Sequence, residues 1–158
     1  GENTSNKTIE KTKEIFTASG ASIVNVKKEI DGFILNRLQG ALLNEAMRLY
    51  SDGYASSDEI DATIRDGLGL RWAFMGPFET IDLNAPGGIK DYISRYGPIF
   101  VEMAKNQTKI PDWSEEAGKK LELERRKILG HEELEDRAKK RNQLLKTLRK
   151  VKIDNGEV

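Results

Sequence analysis

The chain has 158 residues, which fits one domain of about 100 to 200 residues plus an extension. Its 26 basic and 26 acidic residues give a net charge of zero, so no overall field attracts nucleic acid or an anionic membrane. The absence of cysteine and the presence of a single histidine exclude disulfides, thiolate chemistry and multi-histidine metal sites within this chain. We therefore expect no metal, nucleic-acid or membrane partner, and we expect a cytoplasmic protein.

The first 29 residues predict one helix followed by one short strand. Residues 8–19 repeat apolar side chains among charged ones and end at Gly20, and residues 21–26 alternate as a strand does. A single strand cannot satisfy its own backbone donors and acceptors, and no second convincing strand follows in the sequence. We therefore interpret residues 1–29 as the last helix and strand of a preceding α/β domain.

The rest of the sequence predicts helices, so the fold class is mainly α. The longest apolar pattern covers residues 33–50 and contains two stripes at helical spacing. Such a helix is buried on more than one side. Either it lies at the centre of the domain, or one of its stripes faces another subunit.

Shorter signals predict where the following helices begin and end. Ser56 and Glu59 have the spacing of a capping box, in which each residue's side chain bonds the other's backbone N–H. The two glycines within residues 66–69 predict that this short helix stops there. The helical pattern over residues 89–103 is punctuated by Pro98. We therefore expect several short, packed helices.

The composition changes after Pro111. Residues 115–152 carry 13 basic and 8 acidic side chains, a local net charge of +5. A narrow apolar stripe predicts an amphipathic helix that lies across the domain or a partner subunit; its members are Leu134, Ala138, Leu145, Leu148 and Val151. A basic RNA-binding helix is the alternative, but residues 114–158 contain no aromatic side chain on which bases could stack.

Neither the histidine nor the glycines of this chain predict a catalytic or cofactor site. His131 follows Gly130 at a predicted helix start in the charged region, where a solvated surface position is the expected role. Gly67 and Gly69 lack the third glycine of a dinucleotide-binding turn and do not follow a strand. No residue of this chain is therefore assigned to a cofactor.

Asn36 is the first residue that chemistry singles out. It places a short amide early in the most apolar helix, where an unsatisfied buried side chain would cost about 1 to 3 kcal/mol. We therefore expect Asn36 to have a hydrogen-bond partner. The partner is either a structural group in the preceding loop or a ligand in a cleft at a domain junction.

Arg71 is the second such residue. It is one cation among apolar and aromatic side chains, including Leu70, Trp72 and Phe74. A guanidinium suits such surroundings when it stacks on a ring or pairs with an anion. The anion is either a carboxylate of the protein itself or that of a ligand.

These residues carry a resemblance to a known family. The stretch Gly-Phe-Ile-Leu-Asn-Arg-Leu at 32–38 and the turn Met-Gly-Pro-Phe-Glu at 75–79 resemble the helical C-terminal domain of the 3-hydroxyacyl-CoA dehydrogenase family. The resemblance covers about residues 8–104. The insertion at 70–74, with Arg71, is similar to the lambda-crystallin branch, whose members act as L-gulonate 3-dehydrogenases, and to carnitine dehydrogenases.

The resemblance implies a two-domain NAD-dependent dehydrogenase, with NAD bound mainly by an N-terminal Rossmann domain. It implies that residues 1–29 end that domain, that residues 30–110 form the multi-helical domain that closes the cleft and forms the homodimer, and that residues 111–158 form a charged helical extension. Asn36 matches the catalytic asparagine of the family, and Arg71 would bind the substrate carboxylate. The family's catalytic histidine and glutamate belong to the other domain, so this chain alone should be inactive.

The substrate implied by the resemblance is a 3-hydroxy acid such as L-gulonate, oxidised at its 3-hydroxyl. The alternatives are a 3-hydroxyacyl-CoA, as in fatty-acid metabolism, and carnitine. A protein of another class, a non-catalytic helical dimerisation module, also fits the long apolar helix and the charged extension.

Overall fold

The computed structural model describes residues 3–157, and all regular structure in that range is helical. The elements are α1 (Asn6–Ala18), α2 (Phe33–Ser51), α3 (Ser57–Ala62), a π-helical turn (Thr63–Leu68), α4 (Gly69–Trp72), α5 (Pro77–Leu83), α6 (Gly88–Asn106), α7 (Glu115–Ile128), a 3₁₀ turn (His131–Glu133) and α8 (Leu134–Asp154). The predicted mainly α fold class is confirmed.

The predicted short strand is wrong. Residues 21–26 carry no regular secondary structure, because no strand among residues 3–157 supplies the ladder that a β-strand needs. The helix predicted before it is present as α1, and Gly20 follows it with a φ of 78°, which a glycine adopts without strain. The Arg149 Nη2 atom of α8 donates to the Gly20 carbonyl at 3.0 Å. The C-terminal helix therefore holds the start of this irregular segment.

The capping box that begins α3 is confirmed. The Glu59 backbone N–H donates to Ser56 Oγ at 3.4 Å, and the Ser56 backbone N–H donates to Glu59 Oε2 at 2.8 Å. These hydrogen bonds from Ser56 hold the pKa of the Glu59 carboxyl below its usual range. The side-chain spacing alone therefore determines where this helix begins.

Two predicted interruptions are wrong, because the helix continues through both. The chain passes from α3 through the π turn into α4 without a break, with Gly69 at φ −64° and ψ −32°. Likewise α6 runs through Pro98. A proline removes one backbone donor, and the preceding Gly97 has no Cβ to crowd the proline ring. The glycines and the proline are here accommodated inside helices.

The best-packed region lies where the second half of α2 meets α3 and α7. Its apolar centre contains Met47 and Tyr50, both buried. The Ser57 backbone N–H at the start of α3 donates to Glu124 Oε1 of α7 at 2.7 Å. Arg125, the next residue on α7, pairs with Asp61 of α3 at 3.3 Å. Polar contacts therefore join α3 to α7 beside the small core that α2 supplies.

Glu124 and Tyr50 influence each other's ionisation in this region. Hydrogen bonding from Ser57 holds the pKa of the Glu124 carboxyl below its usual range. Burial, followed by the neighbouring Glu124 carboxylate, raises the pKa of the Tyr50 hydroxyl. The Lys120 ammonium lies 5.6 Å from the centre of the Tyr50 ring. The ionised form of Glu124 is thus the one that the fold favours.

Much of the apolar surface of the chain is uncovered. The accessible surface is 13,170 Å², whereas a compact monomer of 17.8 kDa exposes about 8,000 Å². In the first half of α2, Phe33, Leu35 and Leu38 are each more than half exposed. The sequence left two alternatives for this helix, burial at the centre of the domain or contact with another subunit. Within residues 3–157 the first half of α2 is not buried at the centre of the domain. Its first half instead presents an apolar face outward.

The amphipathic helix predicted in the charged region is present as α8. Its apolar stripe lines a groove of about 780 Å³ that also contains Leu70 and Leu129; the stripe residues are Leu134, Ala138, Leu145 and Leu148. The helix thus lies across the domain near α4. Among the described residues, no helix combines the length and the apolar character needed to cross a membrane.

Glu124→Gln should make the protein less sensitive to acid. Because the folded-state pKa of Glu124 is lowered, its stabilising effect is present above the unfolded value of about 4.5 and is lost as the pH falls through the folded value. We expect the variant to have a lower Tm at pH 7 and a smaller drop in Tm between pH 7 and pH 3.5. Thermal unfolding followed by circular dichroism measures both, with Glu122→Gln on the same helix as the control. Equal pH dependence in the wild type and Glu124→Gln would contradict the assignment.

Candidate active site

Asn36 lies in the first turn of α2, just after an unusual backbone turn. Gly32 has a φ of 79° and Phe33 a φ of 49°, and the Phe33 backbone N–H donates to the Ile30 carbonyl at 3.0 Å. A positive φ is uncommon for a residue with a Cβ and is found where surrounding structure imposes it. The turn directs the chain sharply into α2 and so determines where Asn36 lies.

The surroundings of Asn36 correct one expectation. The side chain is exposed and makes no hydrogen bond within residues 3–157, so the desolvation cost that demands a partner does not arise in this chain. The apolar side chains of Phe33, Ile34, Leu35 and Leu38 in the same part of α2 are exposed, and Phe33 lies one turn before Asn36 on the same side of the helix. A structural bond to the preceding loop is therefore not the role of Asn36 here.

Arg71 is positioned by the π turn. The Gly69 backbone N–H donates to the Ile64 carbonyl, five residues earlier, which is the hydrogen-bond pattern of a π-helix. A Cβ on residue 69 would lie 2.9 Å from that carbonyl oxygen, so only glycine fits without a shift. Arg71 follows on the single turn of α4, and its carbonyl accepts from the Phe74 and Met75 backbone N–H groups. Gly69 therefore determines the direction in which α4 and Arg71 leave the π turn.

The Arg71 side chain has none of the partners that its surroundings call for. It is exposed, and the structure shows no ion pair, side-chain hydrogen bond or ring contact for it between residues 3 and 157. Its neighbours Leu70, Trp72 and Phe74 are also exposed. In contrast, Arg65 on the π turn is held by both oxygens of Asp66, at 2.8 and 2.7 Å. Pairing of Arg71 with a carboxylate of the described chain is therefore absent.

Asn36 and Arg71 remain two separate points on the surface. In the described part of the chain no hydrogen bond or ion pair joins them, and α4 packs mainly against the π turn and α5, whereas α2 packs mainly against α3. Their roles as catalytic and substrate-binding residues stay predictions. Both are free to contact groups outside this chain.

The described residues contain no cofactor or metal centre. Between residues 3 and 157 there is no strand that leads into a glycine turn and a helix, the arrangement that holds a dinucleotide in a Rossmann fold. The same range holds no group of three or more His, Asp or Glu side chains that could bind a metal ion. His131 is exposed at the start of the 3₁₀ turn. Cofactor chemistry cannot be assigned to any side chain of this range.

Two structural features were missed from the sequence, and one of them positions Arg71. The glycines at 67 and 69 are the visible signal of the π turn, but their spacing is also typical of a helix end. The apolar residues of α6 repeat regularly through Pro98, and a proline normally breaks such a pattern. In both cases the sequence contained the relevant glycine or proline. The rule that these residues end helices predicted an interruption where the helix continues.

Within residues 3–157 the structure is thus an all-helical domain with exposed apolar side chains and an exposed asparagine at the start of α2. Residues 32–131 match the family model described as "3-hydroxyacyl-CoA dehydrogenase, C-terminal domain". The chain belongs to this family.

Known relatives agree with the family assignment. The chain is 40% identical to lambda-crystallin of Oryctolagus cuniculus over 151 residues, which cover 94% of the chain and 47% of the relative. It is 37% identical to a lambda-crystallin homolog of Homo sapiens over 72% of the chain and 35% of the relative. It is 46% identical to L-carnitine dehydrogenase of Pseudomonas putida over 63% of the chain and 32% of the relative. The chain thus spans at most about half the length of these relatives.

Gly69→Ala should destabilise the π turn. The new methyl group would meet the Ile64 carbonyl at 2.9 Å, and relieving that contact costs about 1 to 3 kcal/mol. Gly67→Ala is the matched control, since it lies in the same turn and a Cβ there meets nothing within 4 Å. We expect a lower Tm for Gly69→Ala and an unchanged or higher Tm for Gly67→Ala. Equal Tm values for the two variants would contradict the role given to Gly69.

Proposed function

We propose that the chain is the helical domain of an NAD-dependent dehydrogenase that oxidises the 3-hydroxyl of a carboxylate substrate, with L-gulonate as the first substrate to test. The family match supports the reaction class, since the family is one of 3-hydroxyacyl-CoA dehydrogenases. Relatives named lambda-crystallin and L-carnitine dehydrogenase support a substrate that differs from an acyl thioester. The division into residues 1–29, 30–110 and 111–158 stays a prediction within this proposal.

The observation that carries the choice of substrate is the unpaired Arg71. Within residues 3–157 its guanidinium has no carboxylate partner, whereas Arg65 on the preceding π turn pairs with Asp66. A guanidinium binds a carboxylate through two parallel hydrogen bonds, which fixes the orientation of the substrate as well as its charge. A free hydroxy acid, carnitine included, has such a carboxylate, whereas the acyl end of a thioester does not.

Asn36 is proposed to act at the reacting oxygen. Its amide can donate through Nδ2 and accept through Oδ1, so it can hold an alcohol oxygen in one orientation during oxidation or support a catalytic base from the preceding domain. The exposed Phe33 ring, one turn before Asn36 on the same side of α2, would help to exclude water once that domain closes over it. NAD would be held mainly by the preceding domain and would accept the hydride. The residues of this chain would bind, orient and desolvate the substrate.

A homodimer in the cytoplasm is part of the same proposal. The support for a partner is the large accessible surface of the chain, 13,170 Å², which exceeds that of a compact monomer by about 5,000 Å². A preceding domain and a second copy can each cover part of this excess.

The alternative from another class is a helical dimerisation module without catalytic activity. The uncovered apolar residues of α2 and α6 also fit that function. Production of NADH by the full-length protein from any of L-gulonate, carnitine, free 3-hydroxybutyrate or a 3-hydroxyacyl-CoA would exclude the alternative. Absence of activity with the whole panel would favour it.

Arg71→Ala should mainly raise KM for carboxylate substrates in the full-length protein. The expected rise is tenfold or more, because a charge-assisted bidentate contact contributes about 1.5 to 3 kcal/mol. Arg65→Ala, which removes a guanidinium already paired with Asp66, is the control and should leave KM nearly unchanged. If the wild type prefers the thioester and Arg71→Ala has no effect on KM, Arg71 does not bind a carboxylate.

Asn36→Ala should lower kcat by about tenfold or more, with a smaller effect on KM, because the amide acts on the reacting oxygen in the transition state. Because Asn36 is exposed and makes no side-chain hydrogen bond within residues 3–157, its loss should leave the Tm unchanged. Steady-state kinetics of NADH formation and a thermal melt test both statements. A wild-type kcat in Asn36→Ala would remove this residue from the site.

A further inference from the structure

Helix α6 presents an apolar stripe that the described chain leaves open. Its members are Ile89, Ile93, Tyr96, Ile99, Phe100 and Met103, which are between 37% and 56% exposed. At 100° per residue they occupy about 120° of the helix circumference and extend along about 21 Å. The main contact of α6 within the chain is with α5, its neighbour in sequence. A face of this width needs a covering partner.

The spacing of the stripe is that of a helix that packs along another helix. From Ile89 to Met103 the steps are four, three, three, one and three residues, so two apolar positions recur in every seven. Tyr92 belongs to the same face. Its ring stacks with that of Phe100, and the two ring centroids are 6.3 Å apart. This pattern describes a continuous seam for helix packing.

The charges beside the seam are complementary to a second copy of the same helix. Arg95 and Glu102 lie on the same flank, one heptad apart, and both are exposed. In an antiparallel pair of α6 helices the Arg95 guanidinium of one copy faces the Glu102 carboxylate of the other, and the pair occurs twice by symmetry. In the same register Tyr96 lies opposite Ile99 of the other copy, and Tyr92 lies opposite Met103. One register therefore accommodates both the apolar contacts and the charge pairs.

Both charged groups can make this contact without giving up their present ones. Arg95 Nε donates to Asp91 at 2.7 Å, and Glu102 accepts from Lys105 at 2.6 Å, both within α6. A guanidinium has five N–H donors and a carboxylate has about four acceptor positions, so capacity remains on each. In a parallel pair the same two residues would instead lie at different levels and gain no partner.

We propose that α6 is the surface by which two copies of this protein associate, as an antiparallel helix pair with its twofold axis near residues 97 and 98. The proposal deepens the homodimer of the proposed function and rests on it.

Exchange of the two flanking charges tests the pairing in the full-length protein. R95E and E102R should each weaken the dimer by about tenfold or more, because each replaces two attractive contacts with two repulsive ones. The double variant R95E/E102R should restore the wild-type dissociation constant, because the opposite charges face each other again. K119E on α7, which makes the same change of charge at an exposed residue, should have no effect. Sedimentation equilibrium measures all four.

Crosslinking tests the direction of the helices. The 158 residues contain no cysteine, so Y92C and M103C can be made as separate proteins in a background without other cysteines. In the antiparallel pair, residue 92 of one copy is about 16 Å along the helix axis from residue 92 of the other, and the same holds for residue 103. Neither variant alone should therefore form a disulfide between copies. A mixture of the two should form one. A parallel pair would give the opposite result and would overturn the proposal.

The remaining outcomes separate this proposal from the proposed function. A wild-type protein that is a dimer, with a dissociation constant that neither single charge variant changes, would show that another surface joins the copies. A wild-type monomer would overturn both the homodimer and the role of α6. NADH production is measured on the same samples, so loss of the α6 contact and loss of dehydrogenase activity are read independently.

Discussion

The apolar surface that this chain leaves uncovered constrains every other feature of the structure. Among residues 3–157 the buried apolar side chains are Met47, Tyr50 and Ala85, and the small core around the first two is joined by polar contacts of Glu124 and Arg125. Burial of apolar surface is the main favourable contribution to folding. A chain that buries so little leaves much apolar surface uncovered, and it spans at most about half the length of the relatives named above.

The candidate site residues lie on the exposed surface as well. Asn36 and Arg71 are exposed and unpaired within the described residues, so both are open to contact with groups outside this chain. A pre-organised backbone nevertheless holds each one: a turn with two positive φ angles precedes Asn36, and a π turn precedes Arg71. Strained or unusual backbone of this kind occurs at functional sites, where it fixes a side chain before the ligand arrives.

Local sequence rules succeeded where one short segment contains all of the interacting groups. The capping box of Ser56 and Glu59, the helix α1 and the amphipathic helix α8 were all predictable for this reason. The same rules failed at Gly69 and Pro98, because whether a glycine or a proline ends a helix depends on the free energy of the whole element. The family resemblance, carried by residues 32–38 and 75–79, was confirmed by the match over residues 32–131.

The mainly α class, the family and the choice of Asn36 and Arg71 as candidate residues all follow from the amino-acid sequence. The tertiary structure decided that residues 21–26 form no strand, that Gly69 closes a π turn under Arg71, and that α6 keeps an open seam with opposite charges one heptad apart. The physical reason is that helix periodicity depends on neighbours three and four residues away. Strand pairing, exposure and the choice of partner depend on groups far away in the sequence or in another chain.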